Sequence, residues 1–215
     1  MTNVTNELTT SWAVLVALGA FHGINPGMGW LFAVALGLQE RRRGAVVRAL
    51  LPLAAGHALA VAAAVAAAYA VGAVLSNGGL RWAVAGVLVS LGAMRFVRHK
   101  HPRWASMRVG IGGLTLWSFL MATAHGAGLM VVPIFVGMAK AGGGEHAHHL
   151  MPGASAGTAL LATGLHAAGY LIVTTVVALI VFEKLGVGLL RRAWFNLDLI
   201  WASALLATGL LTVSL

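Results

Sequence analysis

Six long apolar runs divide the chain, at about 11–38, 49–75, 80–97, 110–139, 155–183 and 197–215, with polar residues gathered between them. Each run is long enough, or nearly so, to cross a membrane as an α-helix, which takes about 20 apolar residues. The runs are continuous, not alternating, so they do not predict the strands of a transmembrane barrel. The pattern predicts an all-α polytopic membrane protein with six transmembrane helices, filling residues 1–215 as a single membrane domain. Residues 1–10 are polar and carry no Lys or Arg. A signal peptide needs a positive start, so they read as a short tail before the first span.

Charge orients the predicted helices. Arg41, Arg42, Arg43 and Arg48 fall in the loop at 39–48. Arg95, Arg98, Lys100, Arg103 and Arg108 fall at 95–109, and Lys184, Arg191 and Arg192 at 183–196. The remaining loops carry only Arg81 and Lys140, so twelve of the 14 basic residues lie in alternate loops. The positive-inside rule then puts those three loops in the cytoplasm and both termini outside. The expected location is the plasma membrane, the inner one in a bacterium, and a wrong span count would scramble the alternation.

Composition narrows the class. The chain is 60% hydrophobic and 9% charged, with a mean hydropathy of +0.89. A soluble domain is roughly 45–50% apolar and about 25% charged. A soluble enzyme, a disordered tail and a fibrous protein are excluded. A net charge of +9 would suggest nucleic acid in a soluble chain; here it serves orientation, and the expected partner is the lipid bilayer. With no cysteine, dithiol electron transfer and thiolate metal ligation are excluded. No nucleophile–base pair, phosphate loop or H-E-x-x-H pattern is present, so the chain does not read as an enzyme.

Short motifs recur at matched places. Phe21-His22-Gly23-Ile24-Asn25-Pro26-Gly27-Met28-Gly29 in the first span is echoed by Ala124-His125-Gly126-Ala127-Gly128-Leu129-Met130, then Pro133, in the fourth. Gly56-His57-Ala58 in the second is echoed by Leu165-His166-Ala167 in the fifth, and Trp82-Ala83 by Trp201-Ala202. The spacing predicts two three-helix repeats, 11–98 and 110–215. Three is odd, so the halves would be inverted in the membrane, as is common in secondary transporters.

The repeat places chemistry at the midplane. His22, His57, His125 and His166 sit deep in apolar spans, where an ionisable residue is costly and usually faces a cavity or the bundle interior. A pseudo-two-fold axis would bring all four together. Imidazole is a common ligand for Zn, Cu, Ni and Co, and Met28 and Met130 would add soft sulfur ligands. The bland reading of one such histidine is a hydrogen bond across a helix interface, and of the methionines, core packing. Gly23, Pro26 and Gly27, with Gly126, Gly128 and Pro133 in the echo, are expected to break or open their helices. Opened backbone with the Asn25 side chain can bind a cation or polar solute; the same glycines also suit close helix packing.

Other candidates are weaker. The outer loop carries Glu145, His146, His148 and His149, a short tract of metal-binding composition. His99 and His101 lie among basic residues of a loop expected to face anionic lipid. Asp198 is the one acid near the inside of a span, a candidate for proton coupling or for pairing with Arg81, Arg191 or Arg192.

Six spans in inverted halves and the His22-Gly23-Ile24-Asn25-Pro26 motif resemble the lysine-exporter superfamily, and within it the nickel/cobalt transporters. In that pattern an acid and a second histidine follow the proline; Gly27 and Met28 stand there instead. The resemblance implies a metal-ion transporter needing no resident cofactor. Three functions stay open. One is a transition-metal transporter with alternating access, using the four histidines for Ni, Co, Cu or Zn. A second is a small-solute exporter of the amino-acid type, with histidines as proton relays. A third is a membrane cytochrome of b type, with paired histidines on haem. Small-residue faces on several helices also suit a homodimer.

Overall fold

The computed structural model describes residues 2–72, 77–97, 110–141, 156–185 and 197–214. Among these residues all regular structure is helical. Helix α1 (Thr2–Ile24) leads through a 3-10 turn (Pro26–Met28) to α2 (Trp30–Glu40). Then follow α3 (Arg43–Gly72), α4 (Asn77–Val97), α5 (Ile111–Ala124) and α6 (Ala127–Ala141). Helix α7 (Ala156–Ile180) ends in a π-helical turn (Val181–Leu185), and α8 (Leu197–Ser214) closes the described chain.

Among the described residues two helices are long and apolar enough to cross a membrane: α3 over Arg43–Val71, and α7 with its π turn over Ala156–Leu185. At about 1.5 Å per residue, both exceed a hydrocarbon core of about 30 Å. The pair α5 and α6 makes a third if taken as one span bent by 63°. Leu8–Ile24, Trp30–Glu40, Gly79–Met94 and Ala202–Thr212 are shorter apolar helices.

The first helix break follows from local chemistry. A residue before proline is driven out of the helical region, and Asn25 is extended, with φ −69° and ψ 120°. Its side-chain oxygen accepts the Gly27 N–H at 2.8 Å, capping the turn. Gly29 has φ 132°, a conformation that favours glycine. Trp30 bridges the break, its indole N–H donating to the Ile24 carbonyl at 2.9 Å. The second break is tighter. His125 ends α5 and Gly126, at φ 72°, turns the chain into α6.

The breaks are narrower than the motifs predicted. Gly23 lies within α1, and Gly128 and Pro133 lie within α6, which continues through them. Close packing explains the two glycines. A Cβ on Gly23 would collide with α7 at the Tyr170 carbonyl, and one on Gly128 with α3 at Ala64. The first basic loop is also shorter than expected. Only Arg41 and Arg42 stand between α2 and α3, because Arg43 and Arg48 already belong to α3.

Three helix pairs pack most closely: α1 with α7, α3 with α5, and α4 with α8. Small residues permit it, as between membrane helices generally. A Cβ at Gly19 would strike the His166 carbonyl, one at Gly169 the Val16 carbonyl, and one at Gly56 the Thr115 carbonyl. Helices α3 and α7 also pack on each other, so the first and second halves interlock. Met28, Leu88, Met130, Tyr170 and Leu205 share one buried core cluster. At one end, Arg42 and Arg48 donate to the Glu40 carboxylate, and Arg43 pairs with Glu183 at 3.2 Å.

Candidate functional site

Three of the four predicted histidines meet. His22 comes from the end of α1, His57 from the middle of α3 and His166 from α7, and all three are fully buried. Ring centroids lie 5.5 Å apart for His22 and His57, 5.0 Å for His22 and His166, and 5.3 Å for His57 and His166. Between the last two the Nε2 atoms are 3.2 Å apart, a hydrogen bond. The contact between α1 and α7 at Gly19, directly against the His166 backbone, is what brings these rings into reach.

Backbone carbonyls set the tautomers. His22 Nδ1–H donates to the Leu18 carbonyl at 2.5 Å, and His166 Nδ1–H to the Leu15 carbonyl at 3.2 Å. In each ring Nε2 is then the lone-pair nitrogen. His57 must therefore donate its Nε2–H to His166. Its Nδ1 is buried and has no hydrogen-bond partner among the described residues.

His125 stands at the rim of this cluster. Its Nδ1–H donates to the Met121 carbonyl at 2.8 Å, the same bond to the residue four earlier that His22 makes. Its Nε2 faces Gly27 of the first break, where an added Cβ would come within 3.7 Å of it. Asn25 is buried beside it, its side chain committed to the turn.

The sequence reading missed Tyr170. Its ring lies flat on His57, with centroids 4.0 Å apart and planes 4° from parallel. Its hydroxyl donates to the Met28 carbonyl at 2.5 Å, tying the histidine cluster to the first break. The signal was present, since Tyr170 follows His166 by one helical turn and shares its face. Two smaller groups also join helices here. Ser118 donates to the Leu53 carbonyl at 2.6 Å, and Thr174 to the Gly23 carbonyl at 3.4 Å.

Other predicted ligands fall elsewhere. Met28 and Met130 are buried in the apolar core cluster that also holds Tyr170. Glu145, His146, His148, His149, His99 and His101 lie outside the described residues. Asp198 is the second residue of α8.

The geometry bears on metal and haem. Among the described residues no group of three or more His, Cys, Asp or Glu side chains is arranged to hold a metal ion. Two facts account for it. The His57 and His166 rings lie 13° from parallel, and His57 is pinned against Tyr170. Their spacing is nonetheless close to a coordination edge. Tetrahedral ligation with metal–nitrogen bonds of about 2.0–2.1 Å puts two nitrogens about 3.3 Å apart. Haem fits less well. Bis-imidazole ligation needs a slot for a flat macrocycle between the rings, and here the rings and Tyr170 pack directly on one another. No protein-family model matches the chain, and no curated protein or solved structure matches it.

Proposed function

We propose that the chain is a six-span membrane transporter of two inverted three-helix halves, moving a transition-metal cation by alternating access. Ni, Co, Cu and Zn are the candidate ions. His22, His57 and His166 are the ion's station and His125 lies on its path. The observation that carries this is the meeting of three fully buried imidazoles from three helices, two of them with Nε2 atoms 3.2 Å apart. Apolar packing would fill such a place at less cost. Ligation requires His57 to release its hydrogen bond to His166 and both rings to turn, so that the lone pairs converge. Zn, Cu and Ni all accept imidazole nitrogen.

The pairing of helices supports the inverted repeat. A two-fold that maps α1 onto α5 and α3 onto α7 exchanges the α1–α7 pair with the α3–α5 pair and returns α4–α8 to itself. Both halves also break just after a histidine whose Nδ1 bonds the carbonyl four residues earlier. Broken helices at the repeat interface are where transporters place their substrates.

A second reading has its own observation. The His57–His166 hydrogen bond, backed by Tyr170, is a ready proton path, which suits a proton-coupled exporter of a small polar solute. One experiment separates them. The purified protein is loaded with a panel of Ni, Co, Cu and Zn, and bound elements are measured beside His57→Ala and His166→Ala. Stoichiometric metal lost in both variants supports the metal transporter. Absence of binding to every ion favours the proton-coupled exporter.

A further inference from the structure

A second feature lies away from the histidines. Helices α4, α6 and α8 border an open groove lined by Leu80, Arg81, Val84, Pro133, Val136 and Thr212 among others. Its walls are almost wholly apolar. Among the described residues of the lining, Arg81 is the only charged group. Its Nε is buried and has no hydrogen-bond partner among the described residues. Arg81 as a whole is half-buried, and a guanidinium beside apolar walls is a natural partner for an anion. Thr212, the one hydroxyl among the described lining residues, donates to the Thr208 carbonyl at 2.7 Å.

Position and shape narrow the occupant. Arg81 sits in the second turn of α4, near the end of that helix, at the depth of lipid headgroups if α4 spans. The apolar lining beside Arg81 is formed by Leu80, Val84, Val132, Pro133 and Val136. At Gly137, on its wall, an added Cβ would meet nothing within 4 Å, so the groove is open there. One guanidinium set in an otherwise apolar groove asks for an anionic amphiphile. Arg pairs phosphate oxygens through two parallel N–H bonds.

We propose that this groove holds one anionic phospholipid, with its phosphodiester on Arg81 and an acyl chain along Val84, Val132 and Val136. It rests on the membrane reading of the chain and not on the role of the histidines. Arg81 is one of two basic residues on its side of the predicted topology, so the site is a local one and not part of a charged belt.

Native mass spectrometry of the full chain, released from detergent with phosphatidylglycerol or phosphatidylcholine, tests it. The unaltered protein should retain one phosphatidylglycerol in preference to phosphatidylcholine. Arg81→Gln should lower that retention about tenfold, the loss of one charge-assisted pair. Gly137→Leu, which fills the groove and leaves Arg81 in place, should also displace the lipid. Metal binding at the histidines should be unchanged in both variants, which separates failure here from failure of the transport reading. Equal retention of the two lipids, or undiminished retention in Arg81→Gln, overturns the proposal. So does displacement of the lipid by inorganic phosphate alone, which would make the site one for a free anion.

Discussion

Tyr170 stacks face-on against His57 while its hydroxyl holds the Met28 carbonyl. One side chain on α7 therefore touches both the histidine of α3 and the break between α1 and α2. A change in the break must move Tyr170, and a turn of His57 must slide along its ring. The proposed alternating access would use this coupling between the histidine cluster and the broken helix.

The two contacts of Tyr170 can be separated. Tyr170→Phe keeps the stacking and removes the hydrogen bond, with an expected loss of about 0.5–2 kcal/mol. Tyr170→Ala removes both and opens a cavity, with an expected loss of about 3–5 kcal/mol. Thermal unfolding in detergent measures both. Hydrogen exchange at residues 25–29 should rise in Tyr170→Phe. If Tyr170→Ala melts no lower than Tyr170→Phe, the stacking contributes nothing.

Glycines that set helix spacing should differ from those that do not. Gly19→Ala forces a methyl group into the His166 carbonyl and should lower the melting temperature clearly and disturb the histidine cluster. Gly86→Ala, in α4, meets open space. It should be neutral or stabilise by up to about 1 kcal/mol through helix propensity. Equal destabilisation by both would contradict the close α1–α7 approach.

Much of this was legible in the sequence, and the reasons are physical. Ionisable residues in apolar runs are costly, so His22, His57, His125 and His166 stood out, and the first, second and fourth of them meet while His125 stays at the rim. Asn25-Pro26 and Gly126 announced the two breaks, because proline restricts its neighbour and only glycine enters the left-handed region freely. Periodicity does not distinguish a glycine that breaks a helix from one that packs it, so both readings stood open for Gly23 and Gly128, and packing is the one the structure shows. Pro133 is similar, since a packed helix tolerates the loss of one bond. Tyr170 escaped notice because its part depends on His57 of α3, which lies far back along the chain and enters no local pattern. The Arg81 groove likewise arises only when α4, α6 and α8 assemble.

The ion pairs at one end should be sensitive to pH and of small effect. The hydrogen bond from Arg42, with Arg48 beside it, holds the Glu40 carboxyl below its ordinary range. A carboxylate depressed in the folded state adds stability above its unfolded value of 4.5 and loses it as pH falls through the folded value. Glu40 is exposed, so salt should screen the effect. Glu40→Gln should melt slightly lower than the unaltered protein at pH 7, and the difference should vanish at pH 3 or in high salt. A difference that persists at pH 3 would assign it to something other than charge.

The most direct test of transport is flux in proteoliposomes. Purified protein is reconstituted with a metal-sensitive dye inside, and Ni, Co, Cu and Zn are added outside in turn. The expected result is entry of at least one ion well above the leak of empty vesicles. It should be abolished by His57→Ala and by His166→Ala, and retained in Gly86→Ala. Leak-level flux of every ion by well-folded protein, under either direction of gradient and with or without a proton gradient, would contradict metal transport through the histidine cluster.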